Sequence, residues 1–141
     1  MDEIDIKILE MLEEDGRKPF TEIAQKLNLS EASVRKRVSA LQKKGVIKKF
    51  TIKVDSAKLG IKTVAIVGLE VDPARFLEVA QRLCDFKEIK CVATSTGDHM
   101  IMTEIWTKDG RELTKLISEK IAMIDGVKKI CPAIILEKLK D

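Results

Sequence analysis

The chain has 141 residues, of which 45% are hydrophobic and 35% are charged, and its formal net charge is +3. This length fits one ordinary domain or two small ones, and the hydrophobic content suffices for a packed core. No stretch approaches the roughly 18 uninterrupted apolar residues of a membrane span, and the acidic N-terminus is unlike a signal peptide. Three cysteines without a CxxC pair predict buried thiols in a cytoplasmic protein.

The positive charge is concentrated in one part of the chain. Residues 1–22 hold eight acids and three bases, and residues 55–141 hold 14 of each. Residues 23–54 hold nine bases and one acid, a local charge of +8. Such a segment has the electrostatic footprint expected of phosphate contact, whereas a solvated lysine-rich surface is the simpler alternative.

Three helices are predicted before residue 45. The first follows a capping Asp2 and has an apolar stripe of Ile4, Ile8, Leu9 and Leu12. The second spans residues 20–27, and the turn after it begins at Asn28, which tolerates the left-handed conformation. Ser30 can cap the third helix, residues 31–44. Two helices joined by so short a turn predict a helix-turn-helix.

The third helix has a cationic outer face with small side chains. Its periodicity turns Val34, Val38 and Leu41 inward, so the opposite side chains are candidates for contact with base edges in a major groove. These candidates are Ser33, Lys36, Arg37 and Ala40. The candidates for phosphate contact are Arg35, Lys43, Lys44, Lys48 and Lys49.

Residues 46–54 alternate in polarity after Gly45, which predicts a strand or short β-wing with its lysines towards solvent. Residues 1–54 are therefore predicted to form a winged helix-turn-helix DNA-binding domain. Residues 55–62, which contain Gly60, are the predicted linker.

Residues 63–141 contain a repeated pattern of strand, helix and strand. Two such units in series predict an α+β, ferredoxin-like βαββαβ domain with both helices on one face of a four-stranded antiparallel sheet. The strands carry apolar residues on both faces, and no further segment of this chain is predicted to cover the second face. Another subunit is therefore its expected cover.

Motifs along nearly the whole chain resemble those of the Lrp/AsnC (feast/famine) transcriptional regulators. They include Asp15-Gly16-Arg17, Glu22-Ile23-Ala24, Gly45-Val46-Ile47, Leu59-Gly60 and Thr96-Gly97-Asp98. The resemblance implies a winged helix-turn-helix joined to a ferredoxin-like, ligand-sensing RAM domain. It also implies a homodimer that often assembles into an octamer, and a bacterial or archaeal regulator that binds double-stranded DNA and commonly responds to amino acids.

The same resemblance draws attention to the loop around Gly97. A ligand is expected at a subunit interface, against Ser95, Thr96, Gly97, Asp98 and His99. Relatives that bind amino acids tend to carry a second acid two residues after the Gly-Asp pair, and this chain has Met100 there. A thioether is a weak acceptor for an α-amino group, so the effector is expected to differ or to be absent.

Two alternatives differ from a sequence-specific regulator. An architectural DNA-binding oligomer without an effector would share the basic helix, and a metabolite-binding enzyme subunit would share the second domain. The single histidine, His99, lies beside Asp98 but lacks the spacing of a catalytic series or a second metal ligand. We therefore expect no enzymatic activity, no cofactor and no metal site.

Overall fold

The computed structural model describes all 141 residues, which form two compact units, Met1–Val54 and Asp55–Asp141. Three helices make up the first unit: α1 (Glu3–Glu14), α2 (Phe20–Leu27) and α3 (Glu31–Lys43). Their apolar faces meet in a core formed by Ile8, Leu12, Ile23, Ala24, Val34 and Val38. The residues that meet in this core therefore confirm the predicted apolar stripes of the three helices.

Residues 46–54 form no strand, so the predicted β-wing is wrong for this segment of the isolated chain. A strand requires a neighbour that pairs with its N–H and C=O groups, and the first unit contains no other strand. The alternation instead leaves Phe50, Ile52 and Val54 exposed to solvent.

The second unit is an antiparallel sheet with helices on one face. Its elements are β1 (Thr63–Val71), α4 (Phe76–Cys84), β2 (Ile89–Thr94), β3 (Ile101–Thr107), α5 (Gly110–Leu116) and β4 (Val127–Ile134). Short 3-10 turns occupy Ala57–Leu59 and Pro73–Arg75, and a π-helical turn, Ile117–Ile121, follows α5. The strand order is β2-β3-β1-β4, and every neighbouring pair is antiparallel. This topology confirms the predicted βαββαβ arrangement and the α+β fold class.

The inner face of the sheet packs against α4 and α5. Alternate residues of β1 and β3 are buried there, as the period of two requires. They meet apolar side chains from both helices in one core, which includes Val67, Leu69, Ile101, Ile105, Val79, Leu83, Leu113 and Leu116.

The outer face of the sheet carries the intervening residues of the same strands. Val64, Ile66 and Met102 are partly buried there, and Ile66 lies opposite Glu104 in the register of β1 and β3. The Nζ atom of Lys138 lies 2.6 Å from Oε1 of Glu104. The C-terminal residues therefore reach this face, which corrects the expectation that no segment of the chain would do so.

Candidate nucleic-acid interface and effector loop

The turn between α2 and α3 is fixed by two local features. Asn28 adopts the left-handed conformation, with φ 57° and ψ 46°, and Leu29 N–H donates to the carbonyl of Ala24 over 2.8 Å. Ser30 then caps α3, because its hydroxyl oxygen accepts from Ser33 N–H over 3.1 Å. Both predicted roles are confirmed, and they set the path by which the chain enters α3.

The outer face of α3 presents one long cation between smaller side chains. Lys36 is exposed, and Ser33 and Ala40 are partly buried. Because these positions are three and four residues apart, they lie along one side of the helix. Such a surface lets a helix approach base edges closely, with a single charged side chain extending from it.

Exposed lysines continue beyond the end of α3. Lys43 and Lys44 occupy its last residue and its cap, and Lys48 and Lys49 follow Gly45, which has a φ of 74°. The amides of Val46 and Ile47 both donate to the carbonyl of Leu41, over 3.0 and 3.1 Å. These bonds tie the start of the lysine-bearing segment to α3.

Arg35 makes two contacts within the first unit. Its guanidinium pairs with Glu31 one turn earlier and lies 5.4 Å from the centroid of the Phe20 ring. The side chain nevertheless remains 63% exposed. Arg35 therefore keeps an accessible charge at the flank of α3, as phosphate contact requires.

Arg37 does not extend freely from the outer face. Its Nη1 donates to both carboxylate oxygens of Asp2, over 3.0 and 2.8 Å, and to Oδ1 of Asp5 over 3.0 Å. The hydrogen bond from Arg37 holds the pKa of Asp2 below its ordinary value, and the same carboxylates raise the pKa of Arg37. The structure thus gives Arg37 a contact with α1 where the sequence predicted a contact with base edges.

The sequence predicted a capping role for Asp2, and Asp5 lies in the first turn of α1, where the helix dipole favours an acid. They form a capping box in which Asp5 N–H donates to Asp2 over 2.9 Å, while Asp2 N–H lies 3.4 Å from the Asp5 carboxylate. Two acids at one helix start, in a unit with three arginines, were the available signal. Sequence spacing alone did not show which arginine they meet.

The predicted effector residues lie together in the loop between β2 and β3. Ser95 N–H donates to the carbonyl of Met100 over 2.9 Å, and the Ser95 hydroxyl donates to that of His99. Gly97 has a φ of 100°, and both it and Asp98 are exposed. The loop is closed by its own backbone and presents one carboxylate to solvent.

His99 packs against the outer face of the sheet. A Cβ added at Gly68 would lie 2.6 Å from Cγ of the imidazole, so the ring occupies the space that a side chain at residue 68 would need. Gly68 was not singled out in the sequence. Only the register of β1 with the loop reveals the pairing.

No cluster of three histidine, cysteine or carboxylate side chains is arranged to hold a metal ion. Cys84 and Cys91 are exposed and Cys131 is partly buried, so the prediction of three buried thiols is wrong. No helix has both the length and the apolar character needed to cross a membrane.

Each of the two units matches a known protein family. Residues 1–48 match the family described as winged helix-turn-helix DNA-binding, and residues 64–141 match the Lrp/AsnC ligand binding domain. The chain is 53% identical over 140 residues to the HTH-type transcriptional regulator LrpA of Pyrococcus horikoshii, covering 99% of each chain.

Solved structures extend this similarity to the fold. The crystal structure of PH0061 has a TM-score of 0.91 at 29% identity and covers 100% of this chain and 96% of its own. The regulator NMB0573 of Neisseria meningitidis, solved as a complex with L-Met, has a TM-score of 0.92 at 20% identity and covers 100% and 93%. The two domain matches and the 53% identity to the Pyrococcus horikoshii regulator show that the chain belongs to the Lrp/AsnC family of DNA-binding transcriptional regulators.

Proposed function

We propose that the protein reads specific DNA sequences by inserting α3 into a major groove, with Ser33, Lys36 and Ala40 towards the base edges. The observation that carries this proposal is the exposed Lys36 on a helix face of otherwise small side chains. A lysine can donate to the acceptor atoms of guanine, and small neighbours allow the helix to approach them.

Phosphate contacts are assigned to cations around that face. Lys43, Lys44, Lys48 and Lys49 are exposed at and beyond the end of α3, and Arg35 is exposed at its flank. Neutralising phosphates releases counterions, so these residues supply affinity for any sequence rather than discrimination. In this proposal residues 1–54 bind DNA, residues 55–62 link the domains, and residues 63–141 serve assembly and sensing, in the cytoplasm.

Binding experiments with two variants test this division of roles. Duplexes are first selected from genomic fragments and then titrated at several salt concentrations. Lys36→Ala should cost about 1–3 kcal/mol on selected sites and alter base preference. Lys48→Ala should weaken binding to all duplexes alike and reduce the salt slope by about one.

Lys115→Ala, an exposed lysine on α5, is the control with the same change of charge. Unchanged affinity and base preference in Lys36→Ala, with its helix content intact, would reject the assignment of α3. Continuous protection of DNA in a footprint, without discrete sites, would favour the architectural alternative.

Assembly through the outer face of the sheet is the second part of the proposal. Val64, Ile66 and Met102 form an apolar strip there, and the partly buried Ile135, whose N–H donates to the carbonyl of Val64 over 2.8 Å, lies beside it. A second copy of the chain would cover this surface in a homodimer, and dimers would associate further, for example into an octamer. A two-fold dimer implies a roughly palindromic site, with half-sites about 34–36 Å apart or a multiple of that.

The loop from Ser95 to His99 is the proposed effector site. Gly97 lets a ligand approach the backbone, and Asp98 supplies an exposed charge. The L-Met complex of the Neisseria meningitidis regulator supports a small-molecule effector in general. Calorimetry against the twenty common amino acids tests whether this chain binds any of them.

A further inference from the structure

The contact between Arg37 and α1 differs from the other ion pairs of the first unit. The remaining pairs, such as Lys7 with Glu3 and Lys26 with Glu22, join residues four apart on one helix. Arg37 instead joins residues 32 and 35 positions away, on a different helix. It is therefore the ion pair in this unit that fixes one helix against another.

The acceptors of this contact are held in place before Arg37 reaches them. Asp2 and Asp5 are joined by their reciprocal capping bonds, and the Asp5 side chain is only 15% exposed. The Arg37 side chain is 29% exposed, so it lies between the two helices with limited access to solvent. The Asp2 side chain is 55% exposed, and three hydrogen bonds from Nη1 of Arg37 to the two carboxylates restrict the rotation of α3 about its own axis.

Rotation of α3 matters because adjacent side chains on a helix point about 100° apart. The apolar contacts of Val34 and Val38 with the core are non-directional and tolerate small rotations, whereas hydrogen bonds to fixed carboxylates do not. A small rotation would move Lys36 away from the base edges that it is proposed to contact.

We propose that Arg37 is a positioning residue that holds α3 in its DNA-reading orientation through Asp2 and Asp5, an inference that rests on the proposed function of α3. Two acids thereby raise the affinity of a protein for a polyanion. Arg37 contacts neither bases nor phosphates, and its charge is already balanced by the carboxylates.

The opposite mechanism makes an opposite prediction. If Arg37 leaves the acids to contact DNA, Asp2 and Asp5 compete with phosphate for it. Removing an acid would then free Arg37 and raise affinity. The sign of the effect of an acid-to-amide substitution therefore distinguishes the two mechanisms.

Asp5→Asn is the informative variant, and Glu3→Gln is its matched control. Both remove one negative charge from the first turn of α1, but Glu3 contacts Lys7 rather than Arg37. The probe is a duplex recovered by selection with the full-length protein. We expect Asp5→Asn to lower affinity about tenfold, within the range of coupling between contacting residues. Glu3→Gln should leave affinity unchanged.

Arg37→Gln and the double variant with Asp5→Asn complete a mutant cycle. The double variant should lose no more affinity than Arg37→Gln alone, because Arg37→Gln already abolishes the contact that Asp5→Asn weakens. The salt slope should stay unchanged because no phosphate contact is lost. Asp2→Asn retains an N-cap residue, so it weakens the Arg37 pair without removing the cap. Circular dichroism at the assay temperature establishes that each variant is folded.

Three results would overturn the inference. They are a gain of affinity in Asp5→Asn relative to Glu3→Gln, additive losses in the double variant, and a slope lowered by about one in Arg37→Gln. Lys36→Ala tests the proposed reading face of α3 independently of the positioning role of Arg37. If it leaves affinity unchanged while the Arg37 cycle behaves as expected, the assignment of the reading face fails and the positioning role does not.

Discussion

Arg35, Lys36 and Arg37 are consecutive cations with three different surroundings. Arg35 lies over the Phe20 ring beside Glu31, Lys36 is exposed and forms no ion pair, and Arg37 is bound by two carboxylates. A count of positive charge treats them alike. Their contacts indicate that only Lys36 is wholly available to a groove, so the charge of α3 exceeds the charge that α3 can offer to DNA.

The Asp2–Arg37 pair makes the first unit sensitive to acid. The pKa of Asp2 is lowered from its ordinary value of 3.8. The pair therefore stabilises the folded unit fully when the pH is above that value, and this stabilisation is lost as the pH falls through the folded-state pKa of Asp2. We expect Asp2→Asn to lose less stability than the parent chain between about pH 4 and pH 2. Thermal unfolding followed by circular dichroism measures this difference, with Glu3→Gln as the control. Identical acid dependence in the parent and Asp2→Asn would contradict the expectation.

The position of Arg37 shows why the contacts of a side chain were harder to predict than the helix face on which the residue lies. Helical periodicity gives the direction of each Cα–Cβ bond, and it identified Val34, Val38 and Leu41 as buried, as the structure confirms. It does not give the end point of a long, flexible side chain, which can reach sideways to a charge on another helix. The acids that bind Arg37 lie more than 30 positions away in the sequence.

At the scale of elements, the contact between His99 and Gly68 joins the effector loop to β1. The Met100 amide also donates to the carbonyl of Leu69, over 3.0 Å. One glycine and one backbone bond therefore fix where the loop rests on the sheet. A ligand in this loop would act on the outer face through the same two contacts.

Gly68→Ala should displace the His99 ring, because the new Cβ would lie 2.6 Å from the Cγ atom of the imidazole. We expect a loss of about 1–3 kcal/mol of unfolding free energy, as for other overpacked sites. Because His99 is the only histidine, its imidazole resonances in an NMR spectrum report the displacement directly. Gly110→Ala is the control, since nothing lies within 4 Å of a Cβ there. An unshifted His99 signal in Gly68→Ala would refute the packing.

Elements with local signals were predicted more reliably than elements that need a partner. The three helices and the βαββαβ order follow from periodicity, caps and turns, which act within a few residues. The alternating segment from Val46 to Val54 carries an equally good strand pattern but forms no strand. A pairing partner is a tertiary or quaternary property, so alternation alone cannot ensure a strand.

At the scale of the whole molecule, the outer face of the sheet is the surface on which assembly depends. The hydrogen bond to Glu104 raises the pKa of Lys138, so the C-terminal residues hold their charge beside this face. Their contact covers the surface only in part, because Val64, Ile66 and Met102 remain partly accessible, and Leu136 and Leu139 of the C-terminal segment are themselves exposed by 97% and 88%. The exposed apolar side chains favour a second copy as the remaining cover.

Ile66→Glu should dissociate the assembly, because it places a charge in the apolar strip of the outer face. Sedimentation velocity of the full chain at micromolar concentration should show a dimer or larger species for the parent and a smaller species for the variant. Leu77→Glu is the control, since Leu77 is 70% exposed on α4, on the other side of the sheet. A monomeric parent chain at this concentration would contradict the proposed role of the outer face.

Sensing should depend on assembly, because a ligand changes DNA affinity only if it binds two states of the protein with different affinities, and at a subunit interface those states differ in assembly. The loop offers one exposed carboxylate, Asp98, and has Met100 where an acid would hold an α-amino group. We therefore expect the twenty common amino acids to shift DNA affinity little. Calorimetry against each of them is the direct measurement, with sedimentation repeated for any that bind. Tight binding of one amino acid, abolished by Asp98→Ala and retained in Asp85→Ala, would place the site in this loop and refute the expected insensitivity.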